Sequence, residues 1–91
     1  MTNSICSVKV RKAMAHMRKN KVGEISYVGT QKPRVSLKDG TTNLLEGIEY
    51  HPLYDTSKML YVRINKVNVP VTELDKESQE KVANEVLNTP M

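Results

Sequence analysis

The sequence predicts an α+β fold in which about five short antiparallel strands form a small barrel or a curled sheet, flanked by a helix at each end. Apolar residues recur at helical spacing near both ends of the chain, whereas they alternate with polar residues through its middle. Charge follows the same division, because the first 23 residues carry six basic and no acidic side chains and residues 71–91 carry a net charge of −3. We therefore expect one domain, residues 1–91, with a basic helix in 1–21, a β-rich core in 22–71 and an acidic helix in 72–88.

The composition limits what this fold contains. A chain of 91 residues with no Phe and no Trp must build its core from Val, Leu, Ile and Met, with four tyrosines as its only large side chains, and such a core leaves little space for a deep ligand pocket. One cysteine and two histidines are too few for a disulfide framework or a structural zinc site, so we expect no cofactor and no metal. No apolar stretch has the length of a signal peptide or a membrane span, and we expect a protein of the reducing cytoplasm.

The first helix is predicted over residues 5–20. Its apolar and basic residues fall on separate faces at i, i+3 and i+4 spacings, which is the pattern of an amphipathic helix. The apolar face is expected to contain Cys6, Val10, Ala13, Met14 and Met17, and the basic stripe to contain Lys9, Lys12, His16 and Lys19.

The start of this helix has an alternative interpretation. A short strand with Cys6, Val8 and Val10 on one side, followed by a shorter helix, fits the same residues because valine is β-branched and helix-disfavouring. If the helix begins early, Ser4 or Ser7 is its candidate N-cap.

The middle of the chain alternates apolar and polar residues at a period of two, which is the pattern of half-buried antiparallel strands. One strand is expected over residues 41–45. The apolar positions of the other strands are Ile25 and Tyr27, Val35 and Leu37, Ile48 and Tyr50, Leu60, Val62 and Ile64, and Val67, Val69 and Val71.

Two dipeptides in this region are turn candidates. Asp39-Gly40 supplies the pair of residues that adopts positive φ in a tight type I′ turn, so we expect it at the tip of a hairpin that begins with the Val35 strand. Asn65-Lys66 is a weaker candidate, placed directly before the Val67 strand.

After Pro70 the spacing of apolar residues becomes helical again. Thr72 or Asp75 is the candidate N-cap, and Asn88 and Pro90 end the helix. Acidic residues early in this helix suit its N-terminus, where the helix dipole favours negative charge. The apolar positions are Leu74, Val82, Ala83, Val86 and Leu87, and the early acidic residues are Asp75, Glu77 and Glu80.

Short antiparallel strands with terminal helices are typical of small barrels of the Tudor or Src-homology type, or of a curled sheet with helices packed on one face. The motif Val69-Pro70-Val71, followed by Leu74 and Gln79, resembles the closing segment of the Sla-homology barrels of endocytic adaptors. This resemblance covers under a fifth of the chain. It implies no binding residue, because the middle of the chain has no counterpart in that pattern.

Eight basic side chains are the candidate nucleic-acid-binding residues. Several Lys and Arg side chains on one face displace counterions from a phosphate backbone, which gives affinity without sequence reading. The alternative is a solvated helix face on a protein of pI about 9.3, opposed by the acidic helix of the same chain or of a second copy. The candidates are Lys9, Arg11, Lys12, Arg18, Lys19 and Lys21 in the basic helix, with Lys32 and Arg34 extending the patch.

Two tyrosines are candidate stacking platforms for unpaired bases. Tyr54 lies in the expected loop over residues 53–58, and Tyr61 shares a strand face with Arg63. The alternative is that all four tyrosines, in a protein without Phe and Trp, are core aromatics.

One cluster has the residue types of an acid–base pair. His51 and Asp55 lie four residues apart, and a carboxylate orients an imidazole for proton transfer. Pro52 disfavours the helix that would bring them together, so the expected role of this segment is a surface loop. Cys6 is expected to be a small buried hydrophobe, since a reactive thiol would need Lys9 close by.

The sequence contains no phosphate-binding loop, dinucleotide fingerprint, Gly-x-Ser-x-Gly, His-Glu-x-x-His or EF-hand pattern. It therefore predicts a non-enzymatic binding protein without a membrane partner, either monomeric or a homodimer. One hypothesis is a nucleic-acid-binding module. The other is a protein-interaction module, either an adaptor or a small phage-type inhibitor that occupies a partner's surface.

Overall fold

The structure, a computed structural model, describes residues 8–29, 31–51 and 60–90. These residues form two α-helices and six strands, so the predicted α+β class is confirmed. A short 3-10 helix, Val71–Glu73, precedes the last helix. The elements are α1 (Val8–Lys19), β1 (Glu24–Ser26), β2 (Arg34–Ser36), β3 (Thr42–Leu44), β4 (Gly47–Tyr50), β5 (Leu60–Ile64), β6 (Val67–Pro70) and α2 (Lys76–Asn88).

The strands form two separate antiparallel sheets. One has the order β1-β4-β5-β6 and the other pairs β2 with β3. In the larger sheet Ile48 lies opposite Val62, which in turn lies opposite Val69, so these residues share one face. The described strands do not close into a barrel, and the predicted small barrel is therefore not confirmed.

A single aliphatic core lies between the inner face of the larger sheet and the two helices. Buried and half-buried residues alternate along β5, and along β4 from Ile48 on, as in a sheet with one covered face. Tyr50 is the tyrosine with a buried side chain among the described residues. The buried hydrophobic residues of these elements are Ile48, Tyr50, Leu60, Val62 and Ile64 in the strands, Val10, Ala13, Met14 and Met17 in α1, and Val82, Ala83 and Val86 in α2, and the core is completed by Val35, Leu45, Val71 and Leu74.

The two helices pack against each other through these apolar faces and not through their opposite charges. Within the described residues, no ion pair of 4.0 Å or less joins a basic side chain of α1 to an acidic side chain. The packing of α1 on α2 therefore depends on aliphatic burial, each such side chain contributing roughly 1.5 to 3 kcal/mol.

Val8 and Val10 are both helical, so the alternative with a strand at this position is wrong. Burial of Val10 and Met14 against the core outweighs the preference of valine for strands. The expected N-caps Ser4 and Ser7, and Cys6 on the expected apolar face, lie outside the described residues.

The end of α1 turns the chain back onto the core. Lys21 adopts φ 57°, the left-handed conformation of a helix C-terminus. Its N–H donates to Arg18 O (3.2 Å), and the N–H of Val22 donates to Met17 O (2.9 Å). This pair of bonds is a Schellman motif, and it brings Val22 into contact with the core cluster.

The hairpin between β2 and β3 is present, with Asp39 and Gly40 in its loop, but the predicted type I′ turn is wrong. Only Gly40 has positive φ (92°) in this loop, and its N–H donates to Leu37 O (2.9 Å). The Asp39 carboxylate accepts from Thr41 N–H (2.8 Å), and hydrogen bonding by the Thr41 side chain together with this backbone bond holds the pKa of Asp39 below its usual range. These contacts form a three-residue loop that needs one left-handed residue, where glycine is favoured.

The type I′ turn lies instead between β5 and β6. Asn65 and Lys66 have φ 53° and 66°, the pair of positive values that this turn requires. Lys66 N–H donates to Glu46 Oε1 (3.0 Å), and Asn65 Nδ2 donates to Asn43 Oδ1 (3.3 Å), so the turn is held from outside the hairpin.

The N-cap of α2 is Asp75, one of the two predicted candidates, whose Oδ1 accepts from Ser78 N–H (2.8 Å). Val71, which was expected in a strand, and Thr72, the other candidate cap, both belong to the 3-10 helix. Because Pro70 fixes its own φ (−58°) and donates no ladder hydrogen bond, the strand ends there.

The small sheet is fastened to the start of α2. Ser36 N–H donates to Ser78 Oγ (2.7 Å), and Asp75 N–H donates to Ser36 O (2.9 Å). Leu37 and Leu74 form an isolated antiparallel bridge beside these bonds. The hairpin therefore depends on the cap of α2 for its position.

Replacing Lys66 with glycine should raise the free energy of unfolding by about 0.5 to 1 kcal/mol, because a left-handed conformation is unfavourable for a residue with a Cβ. Urea denaturation measures the change. Lys38→Gly, in the other hairpin loop at a residue without positive φ, is the control and should destabilise slightly. Equal effects of the two substitutions would contradict the turn assignment.

Tyr27 connects the end of β1 to α2. Its hydroxyl donates to Glu85 Oε1 (2.9 Å), and burial together with this carboxylate raises the pKa of Tyr27 above its ordinary value of 10.0. The folded state therefore favours neutral Tyr27. Its contribution to stability is complete below pH 10 and is lost as the pH rises further, because the unfolded state then releases the proton more readily.

We expect Tyr27→Phe to lose less stability than the wild type between pH 9 and pH 11, since phenylalanine has no proton to release. Urea denaturation at several pH values measures the slope, and the remaining tyrosines and lysines contribute equally to both proteins. Identical slopes would show that Tyr27 titrates alike in the folded and unfolded states.

Candidate functional site

All six predicted basic residues of the first helix are exposed. The apolar face is set by residues spaced i, i+3, i+4 and i+7, so the intervening cations must point away from the core. We call this set the basic surface, and it comprises Lys9, Arg11, Lys12, Arg18, Lys19 and Lys21.

The basic surface is wider than one stripe. Residues seven apart lie on the same line of a helix, about 10 Å apart along its axis. Three such rows cover about half of the helix circumference. Two rows, Arg11 with Arg18 and Lys12 with Lys19, consist of members of the basic surface, and the third pairs Lys9 with the half-buried His16, which is not a member.

The stability of α1 accounts for the positions of only some of these cations. Cations in the last turn, such as Arg18 and Lys19, suit the negative end of the helix dipole and typically stabilise by about 0.3 to 1 kcal/mol. Lys9, Arg11 and Lys12 lie at the opposite, positive end, where the first turn contains no acidic residue. Because these three cations oppose the dipole, helix stability does not account for their placement.

No acidic side chain within the described residues forms an ion pair with any member of the basic surface. No direct contact therefore supports the alternative in which the acidic helix of the same chain neutralises this helix face. The positive charge of α1 faces solvent.

The other two predicted cations lie on a different element. Lys32 is half-buried and precedes β2, and Arg34 is the exposed first residue of β2. This strand is fastened to the start of α2, so both residues belong to the hairpin and not to the helix that carries the basic surface.

The outer face of the larger sheet carries a second group of polar residues. Tyr61 and Arg63 share this face, as predicted, because they are two residues apart in β5. With residues of β4 and β6 they form what we call the outer polar cluster. It comprises Glu49, His51, Tyr61, Arg63 and Asn68.

Glu49 is the centre of the outer polar cluster. Arg63 Nη2 donates to its Oε2 (2.6 Å), His51 Nε2 lies 3.0 Å from its Oε1, and Asn68 Nδ2 donates to the same Oε1 (3.4 Å). The Glu49 side chain is only 13% exposed. The His51 ring meets the Tyr61 ring edge-on, with centroids 5.1 Å apart.

The carboxylate partner of His51 is thus Glu49, two residues earlier on the same strand face. Asp55, the candidate carboxylate four residues after His51, lies outside the described residues, as do Pro52 and the expected loop. Residues two apart along a strand lie on the same face, so the sequence spacing of Glu49 and His51 was a signal for this pair. The contributions of Arg63 and Asn68 depend on strand register, which the sequence does not show.

The chemistry of the outer polar cluster favours a structural role. Both Glu49 oxygens already accept contacts, and no serine, threonine or cysteine belongs to the group as a nucleophile. Among the described residues, no three His, Cys, Asp or Glu side chains are grouped to hold a metal ion. The cluster joins β4, β5 and β6 on the side away from the core.

The three described tyrosines differ in how deeply their side chains are buried. Tyr50 is in the core and Tyr27 is half-buried against α2, so Tyr61 is the described tyrosine on an exposed sheet face. Its stacking role remains a prediction. The other candidate, Tyr54, lies outside the described residues.

The described residues line two shallow depressions on the surface. One, of about 270 Å³, is lined by the β2–β3 loop and the segment before α2. The other, of about 250 Å³, lies at the C-terminal end of α1. We call it the helix-end depression, and it is lined by Met17, Arg18, Lys21, Val22, Gly23 and Tyr50.

Comparisons with known proteins assign the chain to no family: no family model matches it, and searches of curated proteins and of solved structures found no significant match. No helix in the described part of the chain is long and apolar enough to span a membrane.

Glu49→Ala should lower the free energy of unfolding by about 1 to 2 kcal/mol, because it leaves Arg63 and His51 without their shared acceptor. Thermal and urea denaturation measure this. Glu24→Ala is the matched control, since Glu24 lies directly opposite Glu49 on β1 and is exposed. It should be neutral or slightly stabilising, as it removes a like charge across the strands. Equal losses in the two variants would show that the cluster contributes nothing specific.

Proposed function

We propose that this protein is a non-enzymatic nucleic-acid-binding protein that contacts phosphates through the basic surface of α1. The observation that carries the proposal is the position of Lys9, Arg11 and Lys12 at the positive end of the helix, with no acidic partner among the described residues. A polyanion supplies the negative charge that this end of the helix lacks.

Phosphate contacts fit this surface better than base reading does. Lysine and arginine on a convex helix match a backbone of regularly spaced charges, and such contacts fix position without sequence information. Lys32 and Arg34 on the hairpin are proposed as additional phosphate contacts. The nucleic acid is proposed to be bound in the cytoplasm.

The alternative is a protein-interaction module. Four large apolar side chains of the described residues are exposed, but they are scattered over α1, the segment after β1, β3 and β6. Single exposed apolar residues are normal on any protein surface. They do not identify a partner. These residues are Val8, Val28, Leu44 and Val67.

Charge reversal at Lys12 and Lys19 should weaken binding to nucleic acids of any sequence while leaving the fold intact, since both side chains are exposed. The matched control reverses Lys76 and Lys81, which are exposed on α2, and it changes the net charge of the protein by the same amount. Fluorescence anisotropy with random-sequence single-stranded and duplex probes measures affinity, and circular dichroism checks the fold.

If all six cations contact phosphates, wild-type affinity should fall by about three orders of magnitude between about 50 and 200 mM salt. The α1 variant should bind about a hundredfold more weakly, and the α2 control less than about tenfold more weakly. Equal losses in both variants would indicate a general charge effect. Absence of wild-type binding at low salt would refute the proposal and leave the protein-interaction module as the hypothesis to pursue.

A further inference from the structure

We propose that the helix-end depression receives one unpaired base of a strand whose phosphates lie along the basic surface, so that the protein prefers single-stranded to duplex nucleic acid. This inference rests on the proposed function. It concerns a different set of contacts, because the floor of the depression is apolar whereas the basic surface is charged.

The depression exists because of how α1 ends. The left-handed Lys21 reverses the chain, so that Val22 returns toward Met17 and the next residue, Gly23, accepts a hydrogen bond from Tyr50 N–H (2.9 Å). A Cβ at Gly23 would meet no atom within 4 Å. The space beside the glycine is therefore open, and the surrounding backbone is fixed by hydrogen bonds.

The floor and the rim of the depression differ in character. Val22 and the small exposed part of Tyr50 supply apolar surface above the fully buried Met17, and Arg18 and Lys21 supply positive charge. Among the described residues, no acidic side chain lines it. The depression at the β2–β3 loop, by contrast, is lined by two acidic residues and one lysine, which does not suit an anion.

The size of the depression restricts its occupant. Its volume of about 250 Å³ is below the roughly 300 to 1,000 Å³ of sites that bind drug-sized ligands, so it has room for one ring system and not for a large cofactor. A flat ring attached to a phosphate matches an apolar floor beside cations. Arginine also stacks on bases, which suits Arg18 at the rim.

The same two cations connect the depression to the basic surface. Arg18 and Lys21 belong to both, so a strand held along α1 passes the mouth of the depression. In a duplex the bases are stacked and paired, and one would have to be extruded to enter. A base of an unpaired strand enters without losing base pairing, which is the physical basis of the expected preference for single-stranded nucleic acid.

The test fills the depression without disturbing the core. Gly23→Leu places a side chain in the open space, and Gly23→Ala is the matched control with a single methyl group. Affinities are measured by anisotropy with an unstructured oligothymidine of about 12 nucleotides and with a duplex of the same length. Urea denaturation verifies that both variants keep the stability of the wild type.

We expect the wild type to bind the single strand about tenfold more tightly than the duplex or better. Gly23→Leu should lose about tenfold on the single strand and little on the duplex, whereas Gly23→Ala should resemble the wild type. A wild type that binds both probes equally, or a Gly23→Leu variant that binds the single strand normally, overturns the inference while the proposed function stands. Failure to bind either probe overturns both.

Lys21→Gly provides a second, independent readout. Glycine relieves the left-handed strain at this position, so the urea midpoint should rise, whereas loss of the rim charge should weaken binding to the single strand. Opposite changes in stability and affinity separate a role in binding from a role in folding.

A competition experiment tests for a protein partner. The competitor is an acidic peptide with one tryptophan. If this peptide displaces the oligonucleotide at equal concentration, the depression is assigned to a protein partner instead.

Discussion

Burial of aliphatic side chains between the two helices and the central strands is the interaction on which the rest of the structure depends. Without Phe or Trp, this core consists of medium-sized residues that must interdigitate closely, such as Met17 of α1, Ile48 and Val62 of the sheet, and Val82 of α2. The direction of each polar group follows from this burial. The cations of α1 face solvent because their neighbours face the core, and the outer polar cluster faces solvent because strand residues alternate.

The charge on α1 is best understood as a feature that folding tolerates. Three cations at the positive end of a helix dipole weaken the helix slightly, and the apolar contacts with α2 and the sheet offset that loss many times over. Polar residues elsewhere are used differently. Asp75 caps α2, and Glu49 joins three strands, so both carboxylates have partners within the chain. The basic surface lacks such partners among the described residues, and this contrast is the main support for the proposed role of this surface in binding.

Residues in the left-handed conformation determine where the helix-end depression and part of the outer polar cluster lie. Lys21 ends α1 and creates the wall of the helix-end depression, while Asn65 and Lys66 close the hairpin whose strands carry much of the outer polar cluster. None of the three is glycine, although each position favours it. The hydrogen bonds from Val22 to α1 and from Lys66 to Glu46 hold two of these conformations in place.

The sequence by itself determined the α+β class, the two helices, most strand positions and the exposure of the basic residues in and directly after α1, because hydrophobic periodicity reports which face of an element is buried. It assigned the type I′ turn to Asp39-Gly40 instead of Asn65-Lys66, since local propensity was overridden by a side-chain bond from Asp39 and by contacts from outside the second hairpin. Only the tertiary structure decided that the strands form two sheets and no closed barrel, that Glu49 gathers Arg63, His51 and Asn68, and that α1 ends beside an open depression. These features join residues distant in sequence through strand register and chain reversal, which no local pattern encodes.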